Sequence, residues 1–322
     1  MWINNILAKG TPILALSPMA DMTDSPFCQI VRGIGGADIV YREMVSAEAL
    51  IRENEKTLGM TDFVSGERPI VQQIFGSDPL IMARAASIVM EHAGPEGIDI
   101  NMGCPVYKIT SNFNGCALMK EPERATAIIW EMKQAIGDTP LSVKIRLGWN
   151  DPDDFKKFIP VIEDAGVELI TIHGRTKAQG YSGKSDWVRI AEAKKIARVP
   201  ILANGDIHEP AQVSEVLQVT GADGVLIARG ALGNPWFFAQ ANSQQPIVIS
   251  LQERVRVVLA HARLHVAQYG ARGMVSFRKH LSWYFKTSKI GLEIPGIKEF
   301  REKLVRVNTL DELEALLVIF GG

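Results

Sequence analysis

The sequence predicts an α/β fold, a (β/α)8 barrel followed by a small all-helical C-terminal domain. Three observations carry that expectation. Eight short, β-rich apolar runs recur over roughly the first 230 residues. Most are separated by segments whose apolar residues return with helical period. Most of the runs are apolar nearly throughout, as parallel strands are when helices cover their outer face. Strand and helix alternating eight times is the pattern of a closed parallel barrel.

In order, the strand runs are ILALSPM (13–19), DIVYREM (38–44), PIVQQIF (69–75), GIDINMG (97–103), LSVKIRLG (141–148), ELITIHG (168–174), PILANG (200–205) and DGVLIARG (223–230). PLIMARAASIVMEHAG and EPAQVSEVLQVTG illustrate the amphipathic segments between them. The barrel is expected over residues 1–243 and the helical domain over 244–322. The chain has 322 residues, 47% hydrophobic and 22% charged, enough to bury a sizeable core. No apolar run is long enough to span a bilayer. The N-terminus lacks a basic segment followed by a sustained apolar one, so no signal peptide and a cytoplasmic location are expected. Three cysteines argue against a disulfide framework. Net charge is −1, but residues 250–322 hold 12 basic and 7 acidic residues. A basic region beside an acidic barrel suits a polyanionic partner, or is simply a solvated helical surface.

The carboxyl ends of barrel strands build active sites. Here they carry Pro18-Met19-Ala20, Glu43, Gln73, Asn101 with Cys104, Lys144 with Arg146, His173 with Arg175, Asn204-Gly205-Asp206, and Arg229. A barrel built only for packing needs neither Lys144 nor Arg146. ANGDI and ARGALGNP follow the last two strands, where backbone N–H groups commonly hold phosphate. Gly205 lets the chain approach an anion, and Arg229 can add a forked contact. Lys144 suits either a Schiff base or the stabilisation of negative charge on a reduced cofactor ring. Gln73 and Asn101 favour the ring, because amides both donate and accept. A phosphorylated flat heterocycle such as FMN fits. No metal site is expected: His261 and His265 have metal-ligand spacing in HARLH but lack a partnering carboxylate motif, and read as packing residues. Cys28 reads as core.

SPMADMTDSPF, EMVSAEAL, QIFGSDP, DINMGCP, VKIRLGW, HGRTKAQGYSGKSDW, ANGDI and ARGALGNPWFF, in this order, resemble the tRNA-dihydrouridine synthases. The pattern is most similar to the bacterial B-type and its Gram-positive relatives, with the C-type second. The resemblance spans about residues 13 to 238 and continues more loosely through RKHLSWYFK. It implies an FMN-carrying barrel, reduced by NADPH, that passes hydride to C6 of particular tRNA uridines while a cysteine protonates C5. That cysteine is Cys104. The implied flavin contacts are Pro18, Met19, Ala20, Gln73, Lys144, His173, Asn204, Gly205, Asp206, Ala228 and Arg229; Asn101 lies close to flavin and uracil, with Arg146 and Arg175 toward the substrate. The chain departs from many relatives in having Ala228 where they have Gly, which is harmless only if the local φ is negative.

The chemistry agrees. Hydride addition at C6 leaves negative charge on C5 and O4, so an acid must be poised at C5. A thiol, with an ordinary pKa of about 8.5, is mostly protonated at neutral pH. Pro105 restrains the loop, and SNFNG suits a mobile segment over the substrate. Cys116, the competing thiol, reads as packing. Arg254, Arg256, Arg263, Arg272, Arg278, Lys279, Lys286 and Lys289 become candidate tRNA phosphate contacts. Trp283, Tyr284 and Phe285 read as core of the helical domain or as its face toward the barrel. The expected protein is a monomer without an obligate protein partner. Three alternatives stand beside this reading: an FMN barrel reducing a free pyrimidine, as in dihydroorotate dehydrogenases; a Schiff-base aldolase using Lys144; and a non-catalytic tRNA-binding protein.

Overall fold

A computed structural model describes residues 2–286 and 296–321. The eight apolar runs form eight parallel strands: β1 (Ile13–Leu16), β2 (Ile39–Ser46), β3 (Ile70–Phe75), β4 (Gly97–Met102), β5 (Leu141–Arg146), β6 (Leu169–His173), β7 (Ile201–Asn204) and β8 (Gly224–Ile227). They pair in sequence order, and β8 closes on β1 with Leu16 opposite Ile227. Closure leaves no sheet edge to protect.

Helices cover the outer face: α1 (Ser25–Ile34), α2 (Ala47–Ile51), α3 (Pro79–His92), α4 (Pro122–Ile136), α5 (Phe155–Asp164), α6 (Trp187–Ile196), α7 (Gln212–Thr220) and α8 (Phe237–Asn242). Their starts are written locally. Asp78 caps α3 by accepting from the Ile81 N–H, with Pro79 at the first helical position; Asp186 does the same for α6 through Arg189. A helix at Trp2–Leu7 places Ile3 and Ile6 under the barrel against Ile13, Ile39, Leu169 and Leu202, at the strand starts. This apolar plug leaves the opposite, carboxyl end for polar residues.

The C-terminal helices are α9 (Leu251–Tyr269), α10 (Gly273–Tyr284), α11 (Ile297–Leu304) and α12 (Leu310–Gly321). They build a second core around Phe277, Leu281, Tyr284, Phe285 and Leu313, which also takes in Ile30 of α1 and Trp236. Trp283 instead packs against the barrel's core. Thus Tyr284 and Phe285 are core residues, whereas their neighbour on the helix faces the barrel. Among the described residues no helix is long and apolar enough to cross a membrane.

Candidate active site

The register of the barrel brings the polar strand ends to one level. Gln73 lies opposite Asp99, Asn101 opposite Lys144, Arg146 opposite His173, and His173 opposite Asn204. They surround a cavity of about 440 Å³, a size suited to a small-molecule or cofactor site. Its wall includes Pro18, Met19, Ala20, Gln73, Asn101, Cys104, Lys144, Arg146, His173, Asn204, Gly205, Asp206, Ala228 and Arg229. Of the residues singled out in the sequence for this site, Glu43 and Arg175 are missing from it; Glu43 is buried and accepts from the Asp21 N–H.

A relay of hydrogen bonds sets the orientation of the thiol-bearing loop. Asp99 is fully buried and accepts from Ser142 Oγ at 2.6 Å and Gln73 Nε2 at 2.6 Å. Since a carboxylate only accepts, the Gln73 amide must turn its nitrogen inward. Its Oε1 then accepts from Asn101 Nδ2 at 2.9 Å, and Asn101 Oδ1 accepts from the Gly103 and Cys104 N–H groups at 3.1 and 2.9 Å. Burial pushes the Asp99 carboxyl up to about 6, against hydrogen bonds from Ser142 and Gln73 and the nearby ammonium of Lys144. Asp99 was not among the residues expected in the site. Its only signal was a carboxylate between the apolar Ile98 and Ile100 in mid-strand.

The three cysteines separate cleanly. Cys28 and Cys116 are fully buried, and burial raises both thiols, Cys116 to about 12. Cys104 is half-buried and borders the cavity.

On the opposite sector, burial and the cations Lys144, Arg146, Arg175 and Arg229 hold the His173 imidazole far below its ordinary pKa. It is neutral at physiological pH. Its Nε2 is 3.2 Å from Arg175 Nη1, which can only donate, so the ring proton sits on Nδ1. Burial, reinforced by Arg146 and opposed by Asp99, lowers the Lys144 ammonium to about 8. The Gly205–Asp206 turn has φ of +112° and +55°. The Asp206 carboxylate accepts from the Ser185 N–H at 2.7 Å and Arg175 Nη2 at 2.7 Å; despite partial burial these hold it below the usual carboxylate range. Ala228 is not among the residues with positive φ, so its methyl group sits on ordinary backbone.

Arg175, expected toward the substrate, does not line the cavity. It is 2% exposed, and its guanidinium donates to Ser182 O, Gly183 O, His173 and Asp206. It positions the histidine and the loop after β6. Arg146 does border the cavity, but its guanidinium donates to Gly103 O, Thr176 O and Gly180 O. Tyr181 was missed: it is 64% exposed on the cavity wall, with the guanidinium carbons of Arg146 and Arg229 5.6 and 5.5 Å from its ring centre. An aromatic between glycines in AQGYSGK was the available signal.

The basic C-terminal residues also divide. Arg254 is 3% exposed and donates to Gly233 O and Tyr284 O, joining α9 to the loop after β8, so it is structural. Arg256 and Arg263 are paired with Glu253 and Glu314, and Arg278 donates to Val307 O and Asn308. Arg272 and Lys286 are exposed, Lys279 is half-buried, and Lys289 lies outside the described residues.

The Dihydrouridine synthase family model matches residues 14–320. The chain belongs to that family. Among curated relatives, "Probable tRNA-dihydrouridine synthase 1" of Synechocystis sp. is 36% identical over 310 residues, covering 94% of this chain and 84% of that protein. "tRNA-dihydrouridine synthase B" of Pseudomonas syringae pv. tomato is 36% identical over 309 residues, covering 94% and 88%. Both match the family expected from the motifs, and the second carries the B-type name. A solved 2-naphthoyl-CoA reductase complex superposes with a TM-score of 0.57 at 12% identity, covering 72% of this chain and half of that one. It shares the barrel fold.

Proposed function

We propose that the protein is a flavin-dependent oxidoreductase that reduces the C5–C6 double bond of a D-loop uridine in tRNA to 5,6-dihydrouridine, with NADPH as electron source. The observation that carries this reading is the half-buried Cys104 thiol, bordering the same cavity as Lys144, Asn101 and His173.

The cavity fits FMN in size and donor set. Only glycine fits the turn at 205 on the cavity wall, since an added Cβ would lie 2.4 Å from Ser185 Oγ and 2.6 Å from His173 Cδ2. The Gly205–Asp206 and Ala228–Arg229 segments would hold the phosphate, and Pro18, Met19, Ala20, Gln73, Lys144, His173 and Asn204 the ring and ribityl chain. When bound, FMN supplies hydride to uracil C6. The chain's own residues do the rest. Lys144 offers an ammonium to negative charge on the cofactor ring, and neutral His173 offers the Nδ1 proton as a donor. Asn101 and Tyr181 contact the uracil, while Arg146 and Arg175 fix the loops around it. Cys104 gives its proton to C5, leaving a thiolate that solvent reprotonates. Residues 1–243 form the catalytic unit and 244–322 the tRNA-holding unit, acting as a cytoplasmic monomer without an obligate protein partner.

The test is mass spectrometry of unmodified tRNA after incubation with the purified protein and NADPH. A gain of two hydrogens at one D-loop uridine is expected. Reduction of free pyrimidines with none of tRNA would reject the reading.

Two further outcomes follow. Because Lys144 titrates at about 8 in the cofactor-free chain, an anionic group bound against it raises that value, and binding takes up a proton above pH 8. Below pH 8 Lys144 is charged with or without FMN. Affinity should therefore be independent of pH there, with the ammonium's contribution fully present, and fall by up to about tenfold per pH unit above it. In Lys144→Met this limb should be lost; an unchanged slope contradicts the ammonium's role. Secondly, tRNA affinity should fall steeply with salt, and the double substitution Arg272→Ala and Lys286→Ala should weaken it and reduce the salt slope by about one per phosphate contact removed. An unaltered slope excludes both residues from the interface.

A further inference from the structure

We infer that Asp24, His261, His265 and His280 bind one divalent cation of the zinc class, which ties barrel helix α1 to the C-terminal helices α9 and α10. One ligand-capable atom from each of the four lies within 4.8 Å of the others. All four residues are at most 1% exposed. Three ring nitrogens, His261 Nε2, His265 Nδ1 and His280 Nε2, are buried without a hydrogen-bond partner. Three orphaned polar atoms in one dry site are costly unless something shares them.

The hydrogen bonds at the outer side of the cluster say what is missing. Ser276 Oγ donates to Gly273 O, so it accepts from His265 Nε2–H at 2.8 Å. In the neutral ring this leaves a lone pair on His265 Nδ1, which faces Asp24 Oδ2 at 3.2 Å. Two acceptors that close repel each other unless a cation lies between them. The pair is not aligned for a hydrogen bond, which favours a metal over a shared proton. Its spacing already matches the edge, about 3.3 Å, of a tetrahedron with metal–nitrogen bonds of about 2.0 Å. The remaining ligands would move inward by under about 1 Å to reach such bonds.

The other outer contacts resemble the supports that orient metal ligands. His261 Nδ1 is 3.0 Å from Tyr284 Oη, and Tyr269 Oη donates to Asp24 Oδ2 at 3.2 Å. The second Asp24 oxygen accepts from the Phe27 N–H and caps α1. Phe27 and Phe277 flank the imidazoles, with ring centres 5.5 and 4.8 Å from His261. Neutral imidazoles and an ionised carboxylate are the ligand-competent forms. Four protein donors with no solvent path make a closed set, which fits a structural and not a catalytic ion.

Placement gives the ion a consequence. Asp24 directly follows the loop that brings Pro18, Met19 and Ala20 to the cavity. The ion would lock the helical region to that loop and fix where a bound polyanion meets the pocket.

The test is elemental analysis of the full-length protein purified without chelators or a metal-affinity tag. We expect about one zinc per chain, whatever the flavin content. The chelator-stripped chain titrated with Co2+ should develop the intense visible bands of tetrahedral coordination and melt several degrees higher. His280→Gln and Asp24→Asn should lose the bands, while Cys104→Ala keeps them. No stoichiometric metal in wild type from zinc-supplemented medium, with no cobalt bands and no melting shift, overturns the site. So does metal retained by Asp24→Asn combined with His280→Gln. Metal content does not depend on the tRNA substrate, so either reading can fail without the other.

Discussion

Replacing Cys104 by alanine should give a folded, yellow protein that still binds tRNA and is still reduced by NADPH, yet reduces uridine about 10²–10⁴-fold more slowly. The range is what a positioned general acid supplies, and the structure leaves no second thiol to substitute. Cys28 and Cys116 are buried in the core, and burial disfavours proton release from both. Cys104 differs because the chain turns at Gly103-Cys104-Pro105 and leaves β4 for the cavity wall. The Asn101 side chain holds the Gly103 and Cys104 N–H groups, so the substitution removes the thiol without freeing the loop. Single-turnover uridine reduction is the decisive measurement, since it isolates the step from flavin reduction. Comparable turnover by the variant would remove the thiol from the chemistry. Loss of FMN or tRNA binding would instead mean that Cys104 supports the cavity.

The fold was legible because its signal is repeated. Each of the eight apolar runs is a strand, and the barrel register then puts their polar ends on one rim. That is why Gln73, Asn101, Lys144 and His173 could be grouped from strand endings alone. What escaped depended on acceptors supplied by distant backbone. Arg175 and Arg254 are indistinguishable from ligand-seeking arginines in sequence. The carbonyls of Ser182 and Gly183, and of Gly233 and Tyr284, turn them into scaffold. Asp99 reads as a misplaced charge until Ser142 and Gln73 are seen to hold it. The HARLH pair lacked a carboxylate only along its own helix; Asp24 reaches it from another element, where the hydroxyl of Tyr269, 245 residues along the chain from Asp24, donates to it.

The second large effect is expected at Gly205. Its φ of +112° lies where side chains other than hydrogen are strained, and an added Cβ would meet Ser185 Oγ at 2.4 Å and His173 Cδ2 at 2.6 Å. Neither neighbour can yield freely. Ser185 is anchored by its N–H to Asp206 and its Oγ donates to Asn204 O at 3.4 Å, and Arg175 pins the His173 ring. Gly205→Ala must therefore displace the histidine or unwind the turn that faces the cavity, and backbone strain alone costs about 1–3 kcal/mol. Expressed as binding, that strain and the shifted donors should weaken FMN by at least tenfold, so the variant should purify largely colourless. Strain by itself has a built-in control. Gly221 ends α7 with φ of +62°, and a Cβ added there would meet nothing within 4 Å. Gly221→Ala should lower the melting temperature while leaving FMN affinity untouched. If Gly205→Ala retains flavin as well as Gly221→Ala does, the turn after β7 does not hold the cofactor, and the phosphate must be sought against Ala228–Arg229 alone.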